Sequence, residues 1–189
     1  MGSTVLYMSM SLDGFIAGPN ETDDHGLGDG GDRLHEWVFP PEGDVNRQIV
    51  DEFMCTGAVV AGRATFEPAE GWHGDHHDGV PIWVLSRRPI PDWARSMPAV
   101  TYTNVIETAF RDARDAAGEK DVLVHGASTA QRAIAAGVLD EMQIHLVPVL
   151  LGEGRRLFDH LGAEQRQLER LRVLVGEGGV THLRYRIRY

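Results

Sequence analysis

The chain has 189 residues and a mass of 20.9 kDa, with 18 Lys and Arg against 28 Asp and Glu, a formal net charge of -10. At 42% apolar and 24% charged residues, it has the composition of one globular domain over residues 1–189 that buries a core without staples. The longest apolar run, 146–151, is interrupted by Pro148 and falls far short of the ~18 residues of a membrane helix. The acidic balance leaves no basic face for nucleic acid. No basic region precedes Asp13, so no signal peptide is expected. Met1-Gly2 opens like a myristoylation signal, but Leu6 stands where Ser or Thr is wanted. The single cysteine, Cys55, has no internal partner. A cytoplasmic location is the expectation.

In chain order, short apolar runs at 5–10, 58–61, 82–85, 100–103, 122–125 and 142–149 are predicted strands. Their apolarity is continuous rather than alternating, which fits a parallel sheet covered on both faces. Helical spacing appears between them. Val45, Ile49, Val50, Phe53 and Met54 share one face of a helix over 45–55, with Asp44 as its expected N-cap. Cys55, on that face or at its end, is expected to be a buried structural thiol. The next helix is predicted to begin at Asn104 with Glu107 completing a capping box, and to stop at Gly118. A third is predicted from Ser128, with Ala130, Ala133 and Ile134 inward, to Gly137. At the C-terminus Leu171, Val173 and Val175 alternate with polar residues. After Gly176-Glu177-Gly178-Gly179, Leu183, Tyr185, Ile187 and Tyr189 alternate with Arg184, Arg186 and Arg188. That is a half-exposed β-hairpin with its arginines on one face. The fold class is therefore α/β, a mostly parallel sheet with right-handed crossovers and a final antiparallel hairpin. Residues 18–32, with five Gly and five Asp or Glu, are predicted to form a lid or insertion beside the pocket.

Three strand-to-turn junctions carry candidate chemistry. Gly62-Arg63-Ala64-Thr65-Phe66-Glu67 follows a strand and offers backbone amides, a helix start and a guanidinium fork to an anion. Ser86-Arg87-Arg88 ends the next strand, and a hydroxyl with two arginines suits a phosphomonoester. Val124-His125-Gly126-Ala127-Ser128-Thr129 repeats strand, glycine and helix start, without the full G-x-G-x-x-G fingerprint. Ligands in open α/β sheets gather at the carboxyl ends of strands, so the three together point to a phosphate-rich nucleotide. The stretch from Trp72 to Asp78 holds three imidazoles and two carboxylates, yet it has no established ligand pattern and is expected to be a polar surface loop, not a metal site. Residues 23–30 likewise fail the calcium-loop spacing, and no G-x-S-x-G elbow is present.

Ser11-Leu12-Asp13-Gly14-Phe15-Ile16-Ala17, Gly62-Arg63-x-Thr65-Phe66-Glu67 and Leu85-Ser86-Arg87 resemble the dihydrofolate reductase superfold. Val124-His125-Gly126, Leu139-Asp140-Glu141, Pro148-Val149-Leu150-Leu151-Gly152-Glu153-Gly154 and Leu157-Phe158 are similar to the RibD C-terminal reductase domain of riboflavin biosynthesis and its stand-alone relatives, a likeness running from about Val5 to Tyr189. The resemblance implies a dihydrofolate reductase-like mixed sheet with helices on both faces, NADPH as hydride donor, and a homodimer. By position, it brings Ser9, Ile16 and Ala17 to the nicotinamide and Gly62, Arg63 and Thr65 to the phosphates. It brings Ser86 and Arg87, with Arg88 as helper, to the adenosine 2′-phosphate, and Gly126, Ala127, Ser128 and Thr129 to the pyrophosphate. The implied activity resembles 5-amino-6-(5-phosphoribosylamino)uracil reductase. The alternatives are a dihydrofolate or pterin reductase and a non-catalytic nucleotide-binding dimer. Dihydrofolate reductases keep a carboxylate in the helix before the Gly-Arg motif, where an ungapped count puts Asn46. Asp13, Asp44 and Glu67 are the candidate proton donors.

Overall fold

A computed structural model describes residues 2–189, and Met1, the start of the lipidation signal considered above, lies outside the described residues. The chain runs β1 (Thr4–Ser11), β2 (Phe15–Ala17), α1 (Gly43–Met54), β3 (Ala58–Gly62), α2 (Arg63–Phe66), β4 (Ile82–Leu85), β5 (Val100–Thr103), α3 (Ile106–Ala117), β6 (Val122–His125), α4 (Ala127–Ala135), β7 (Glu141–Val147), β8 (Arg155–Arg156), β9 (Gln167–Val175) and β10 (Thr181–Arg188). Among the described residues the main sheet has eight strands in the order β5-β4-β3-β6-β1-β7-β10-β9. The first six are parallel. β10 lies antiparallel between β7 and β9, as the alternating C-terminal pattern predicts. A second sheet, β2 with β8, clasps the turn after β1 to the segment after β7.

Continuous apolarity in the parallel strands has a direct cause: every residue of β3 is buried, because helices cover both faces. One face meets α3 and α4, which contribute Ile106, Ala109, Phe110, Ala113, Ala130, Ala133 and Ile134 at helical spacing. Phe110, 1% exposed, contributes about 1.5–3 kcal/mol by burial alone. The other face carries Val5, Tyr7, Val59, Ala61, Ile82 and Leu123, partly covered by Phe53 and Trp72. The parallel strands end on one edge of the sheet, at Ser11, Gly62, Leu85, Thr103, His125 and Val147. No helix among the described residues is long and apolar enough to cross a membrane.

Several local expectations are corrected. Glu42 and Val105 occupy the N-cap positions of α1 and α3, neither with a side-chain cap, so Asp44 and Asn104 do not cap. Asp44 instead accepts from Arg47 at 2.6 Å, one turn on. Cys55 is exposed, since α1 ends one residue earlier and its apolar stripe is spent on Ile49 and the buried Asn46. Met54 is exposed for the same reason. The hairpin arginines are engaged rather than solvated: Arg184 Nε donates to Glu141 Oε2 at 2.7 Å and Arg186 to Glu141 Oε1 at 3.0 Å. Arg188 pairs with Glu169. Two guanidiniums on one carboxylate that is 4% exposed offset its desolvation.

Candidate active site

At the carboxyl edge, β3 turns into α2 and β6 into α4, and the two junctions meet. Gly126 has φ 94, and a Cβ there would stand 2.5 Å from Thr65 Oγ1. A Cβ on Gly62 would stand 3.0 Å from Thr129 Oγ1 and 3.3 Å from Ser128 Oγ. The two glycines thus leave a seam of bare backbone between the two helix starts. Gly126 caps α4 with no side-chain acceptor for the first-turn amides. These amides and the positive end of the helix favour an anion. Thr129, 1% exposed, keeps a buried Oγ1 with no hydrogen-bond partner in the same seam. Gly62, Arg63, Thr65, Gly126, Ala127, Ser128 and Thr129 therefore come together, with Ser128 exposed and Ala127 buried against the sheet.

The neighbouring arginines differ in what they have left to give. Arg63 Nε donates to Glu67 Oε2 at 2.6 Å, and Glu67 Oε1 accepts from Tyr102 Oη at 3.3 Å. Burial first, and then Glu67, push the Tyr102 hydroxyl well above its ordinary range. Ser86 Oγ accepts from Arg88 N at 3.0 Å and donates to Arg88 O at 2.8 Å, a local turn that presents Arg87 and Arg88 to solvent. A cavity of about 380 Å³ lies beside them, lined by Arg63, Arg88 and Arg155 and by Glu21, Asp23 and Glu67. The acidic 18–32 segment supplies two of those carboxylates, and its Glu21 holds Arg155 at 2.7 Å. At the other end of the edge Ser9, Ile16 and Ala17 are buried, and Ser9 Oγ accepts from Trp37 Nε1 at 2.9 Å.

None of the three acids is placed to donate a proton. Asp13 accepts from Ser11 Oγ at 2.6 Å, Gly152 N at 2.7 Å and Leu151 N at 3.1 Å. These bonds, that of Ser11 foremost, hold it down at about 2, so it is an ionised clasp between loops. Asp44 is an exposed first-turn residue on Arg47. Glu67 is committed to Arg63.

The largest departure from the sequence reading is a layer of imidazoles on the α1 face. The sequence predicts a surface loop around His76 and His77, but His77 is 4% exposed and bonds to Thr56 O, just past the end of α1. His145 on β7 and His182 on β10 are 3% and 2% exposed and face each other through their Nδ1 atoms at 2.9 Å. His125, last in β6, holds Tyr7 O through Nδ1 at 3.0 Å. Trp37 lies 4.5 Å from His145, and Trp72 lies 4.6 Å from His76 and 6.2 Å from His125, ring centre to ring centre. Burial depresses these rings: His76 to about 2, His125 and His182 to about 4, and His145 well below its ordinary value. All four are neutral at pH 7. Among the described residues no three metal-ligating groups converge on one point. The backbone under Trp72 is strained: Glu70, Gly71, Trp72 and His73 are four successive left-handed residues with φ of 50, 60, 49 and 53. His145 and His182 face one another across paired strands, in register, and nothing in their spacing signals it.

A mostly parallel sheet with a glycine seam at its strand ends and a closing antiparallel hairpin defines a fold of the dihydrofolate reductase type. Residues 3–181 match the model of the RibD C-terminal domain, and the chain belongs to that family. No curated protein matches the sequence. Among solved structures, a candidate riboflavin biosynthesis protein from Shewanella sp. PV-4 is similar at 23% identity and a TM-score of 0.75, with 99% of each chain covered. Acinetobacter baumannii RibD is similar at 20% identity and a TM-score of 0.67, and this chain spans 58% of its length. A pyrimidine reductase-like protein from Corynebacterium diphtheriae shares 13% identity over 92% of its chain, with a TM-score of 0.65.

Proposed function

We propose that this chain is an NADPH-dependent reductase that delivers hydride to a carbon of a C=N or C=O group in a pyrimidine- or pterin-type molecule. The chemistry of 5-amino-6-(5-phosphoribosylamino)uracil reduction is its model. Membership of the RibD C-terminal domain family supports a reductase. The observation that carries the cofactor assignment is the Gly62–Gly126 seam. Bare backbone, an uncapped helix start and the orphaned Thr129 Oγ1 fit a pyrophosphate and would be poorly solvated without one. In this reading Thr65, Ser128 and Thr129 hold the pyrophosphate, with Arg63 beside them. Arg87, with Arg88 as helper and Ser86 shaping the turn, takes the 2′-phosphate. Ser9, Ile16 and Ala17 border the nicotinamide end. The bound cofactor supplies the hydride. The chain's own residues position it and exclude water.

A dihydrofolate reductase proper is disfavoured on a specific ground: Asn46, fully buried on α1, has no ionisable proton to transfer, and its amide donates to Glu177 O and meets His182 through Oδ1. A homodimer belongs to the reading, with the exposed Leu171, Val173 and Val175 of edge strand β9 as its apolar surface. Tryptophan quenching titrated with NADPH and NADH tests the proposal. NADPH binds at micromolar concentration and NADH far more weakly, and Arg87→Ala erases the preference while sparing NADH. Absence of binding by both nucleotides refutes it.

A further inference from the structure

Resting on the reading of the strand-end seam as a nucleotide cradle, we infer that Arg155 is a further ligand of the nucleotide's 2′-phosphate, masked by Glu21 until that phosphate arrives. The cavity of about 380 Å³ beside the seam brings together three guanidiniums, of Arg63, Arg88 and Arg155, from separate parts of the chain. Three carboxylates, of Glu21, Asp23 and Glu67, share it and balance their charge. Thr65, Ser128 and Thr129, the proposed holders of the pyrophosphate, do not line it. The cavity therefore belongs to the group that Arg88 meets in this reading, a phosphomonoester dianion beyond the seam.

The two ion pairs in the cavity are built differently. Glu67 follows Arg63 by one helical turn, accepts from its Nε at 2.6 Å and also accepts from Tyr102 Oη. That pair is fixed from two sides. Glu21 meets Arg155 at 2.7 Å and has no second ion-pair or hydrogen-bond partner among the described residues. The Glu21 side chain is 20% exposed and that of Arg155 35%, so water reaches both. A part-exposed pair of this kind is worth little, and a dianion with three acceptor oxygens outcompetes one carboxylate for the same guanidinium. The backbones behind both partners are held, which leaves the exchange to side chains. Arg155 pairs with Ala17 between β8 and β2, and a Cβ on Gly154 would stand 2.0 Å from Ala17 O. The loop carrying Glu21 is closed by Gly18 N to Leu27 O and Asp29 N to Pro19 O, both at 2.8 Å. Its return limb lies on Pro68, just after α2, where a Cβ on Gly26 would stand 2.4 Å from Pro68 Cβ. Arg88 is exposed and has no carboxylate partner among the described residues. The site thus holds one free guanidinium and a second that rotation of the Glu21 side chain releases.

A double-mutant titration of the full-length protein tests this, with NADPH and NADH as probes and tryptophan quenching as readout. Arg155→Ala should weaken NADPH about tenfold and leave NADH nearly unaffected. Glu21→Gln, which frees Arg155, should tighten NADPH about threefold and again leave NADH nearly unaffected. Asp23→Asn removes the same charge from the same cavity without touching Arg155, and so measures the contribution of bulk charge. In the Arg155→Ala background the Glu21→Gln gain should vanish, whereas any Asp23→Asn gain persists. A Glu21→Gln gain that survives the loss of Arg155 overturns the inference. So does weaker NADPH binding in Glu21→Gln, which would make the pair a staple of the loop. Equal losses for NADPH and NADH in Arg155→Ala overturn it as well. Arg155→Lys keeps the charge and the backbone pairing, and should retain part of the NADPH preference that Arg155→Ala loses. Binding of neither nucleotide by the unsubstituted protein fells the reductase reading and the inference with it. A clear NADPH preference that Arg155→Ala leaves intact sinks the inference alone.

Discussion

Gly126→Ala is the most demanding perturbation of the strand-end cradle. Gly126 has φ 94 and ψ 147, a conformation essentially reserved for glycine, and forcing alanine into it costs about 1–3 kcal/mol. The new Cβ also arrives 2.5 Å from Thr65 Oγ1, and the next atom, Thr65 Cβ, is 3.7 Å away, so rotation of the hydroxyl relieves most of the overlap. Backbone strain therefore dominates. For a chain of this length each kcal/mol moves the midpoint by about 2–4 °C, so thermal unfolding should fall by about 2–12 °C. The effect on ligand binding is larger in kind: the added methyl occupies the seam, and nucleotide affinity should drop at least tenfold. The double variant Gly126→Ala with Thr65→Ala separates the two causes. It removes the clash but not the strain, so it recovers little of the midpoint. An unchanged midpoint together with unchanged NADPH affinity in Gly126→Ala would refute the argument that this seam is built for a phosphate.

Two further outcomes follow from the imidazole layer and the turn beside it. His73 is exposed yet left-handed at φ 53, so His73→Gly should stabilise the chain by about 1 kcal/mol, read as a higher unfolding midpoint. A lower midpoint would show that the turn is not strained. His125 is depressed to about 4 from an unfolded value near 6.5, so the unfolded chain binds the extra proton between those limits. Stability is then full above pH 6.5 and falls as pH drops toward 4, by about 1.4 kcal/mol per pH unit for this ring alone. Asp13 loses its contribution only below about 3.8, so denaturant midpoints that hold constant from pH 7 to 5 would contradict the buried neutral imidazoles.

The parts of this protein that were legible in its sequence are those written by backbone requirements. Gly62 and Gly126 stand where a chain leaves a buried strand and no side chain fits, and Gly118 closes α3 at φ 63. The hairpin was legible because alternation over β9 and β10 has period two and the Gly176–Gly179 segment interrupts it. The imidazole layer was hidden for a different reason. His145 sits in β7 at the same alternation as Glu141 and Gln143, where polar residues ordinarily mark an exposed face although all three are buried here, and its partner His182 is 37 residues away. His76 and His77 follow Gly74 and precede Gly79, which marks a loop correctly but says nothing of whether the loop turns inward. Cys55 failed by one residue of register, since α1 ends at Met54 and the helical stripe does not extend to it.

Asn46 decides how much dihydrofolate reductase chemistry this family member can share, and Asn46→Asp tests it. The carboxylate would face Glu177 O, 3.2 Å from the present amide nitrogen, with no hydrogen to give it, so the fold should lose about 1–3 kcal/mol. Its charge would lie at His182 Nε2 and favour the imidazolium there, raising His182 from about 4. A protonated His182 carries hydrogen on both nitrogens, so its Nδ1 becomes a donor toward His145 Nδ1. His145 must then accept, and its own hydrogen moves to Nε2. One substitution 136 residues from His182 in sequence thus converts His145 Nε2 from an acceptor into a donor as pH falls. Nitrogen spectra of Asn46→Asp through this range should show His145 exchanging from the Nδ1–H to the Nε2–H form while His125, held by Tyr7 O, does not change. A His145 that keeps hydrogen on Nδ1 while His182 protonates would break the chain of reasoning at the His145–His182 bond.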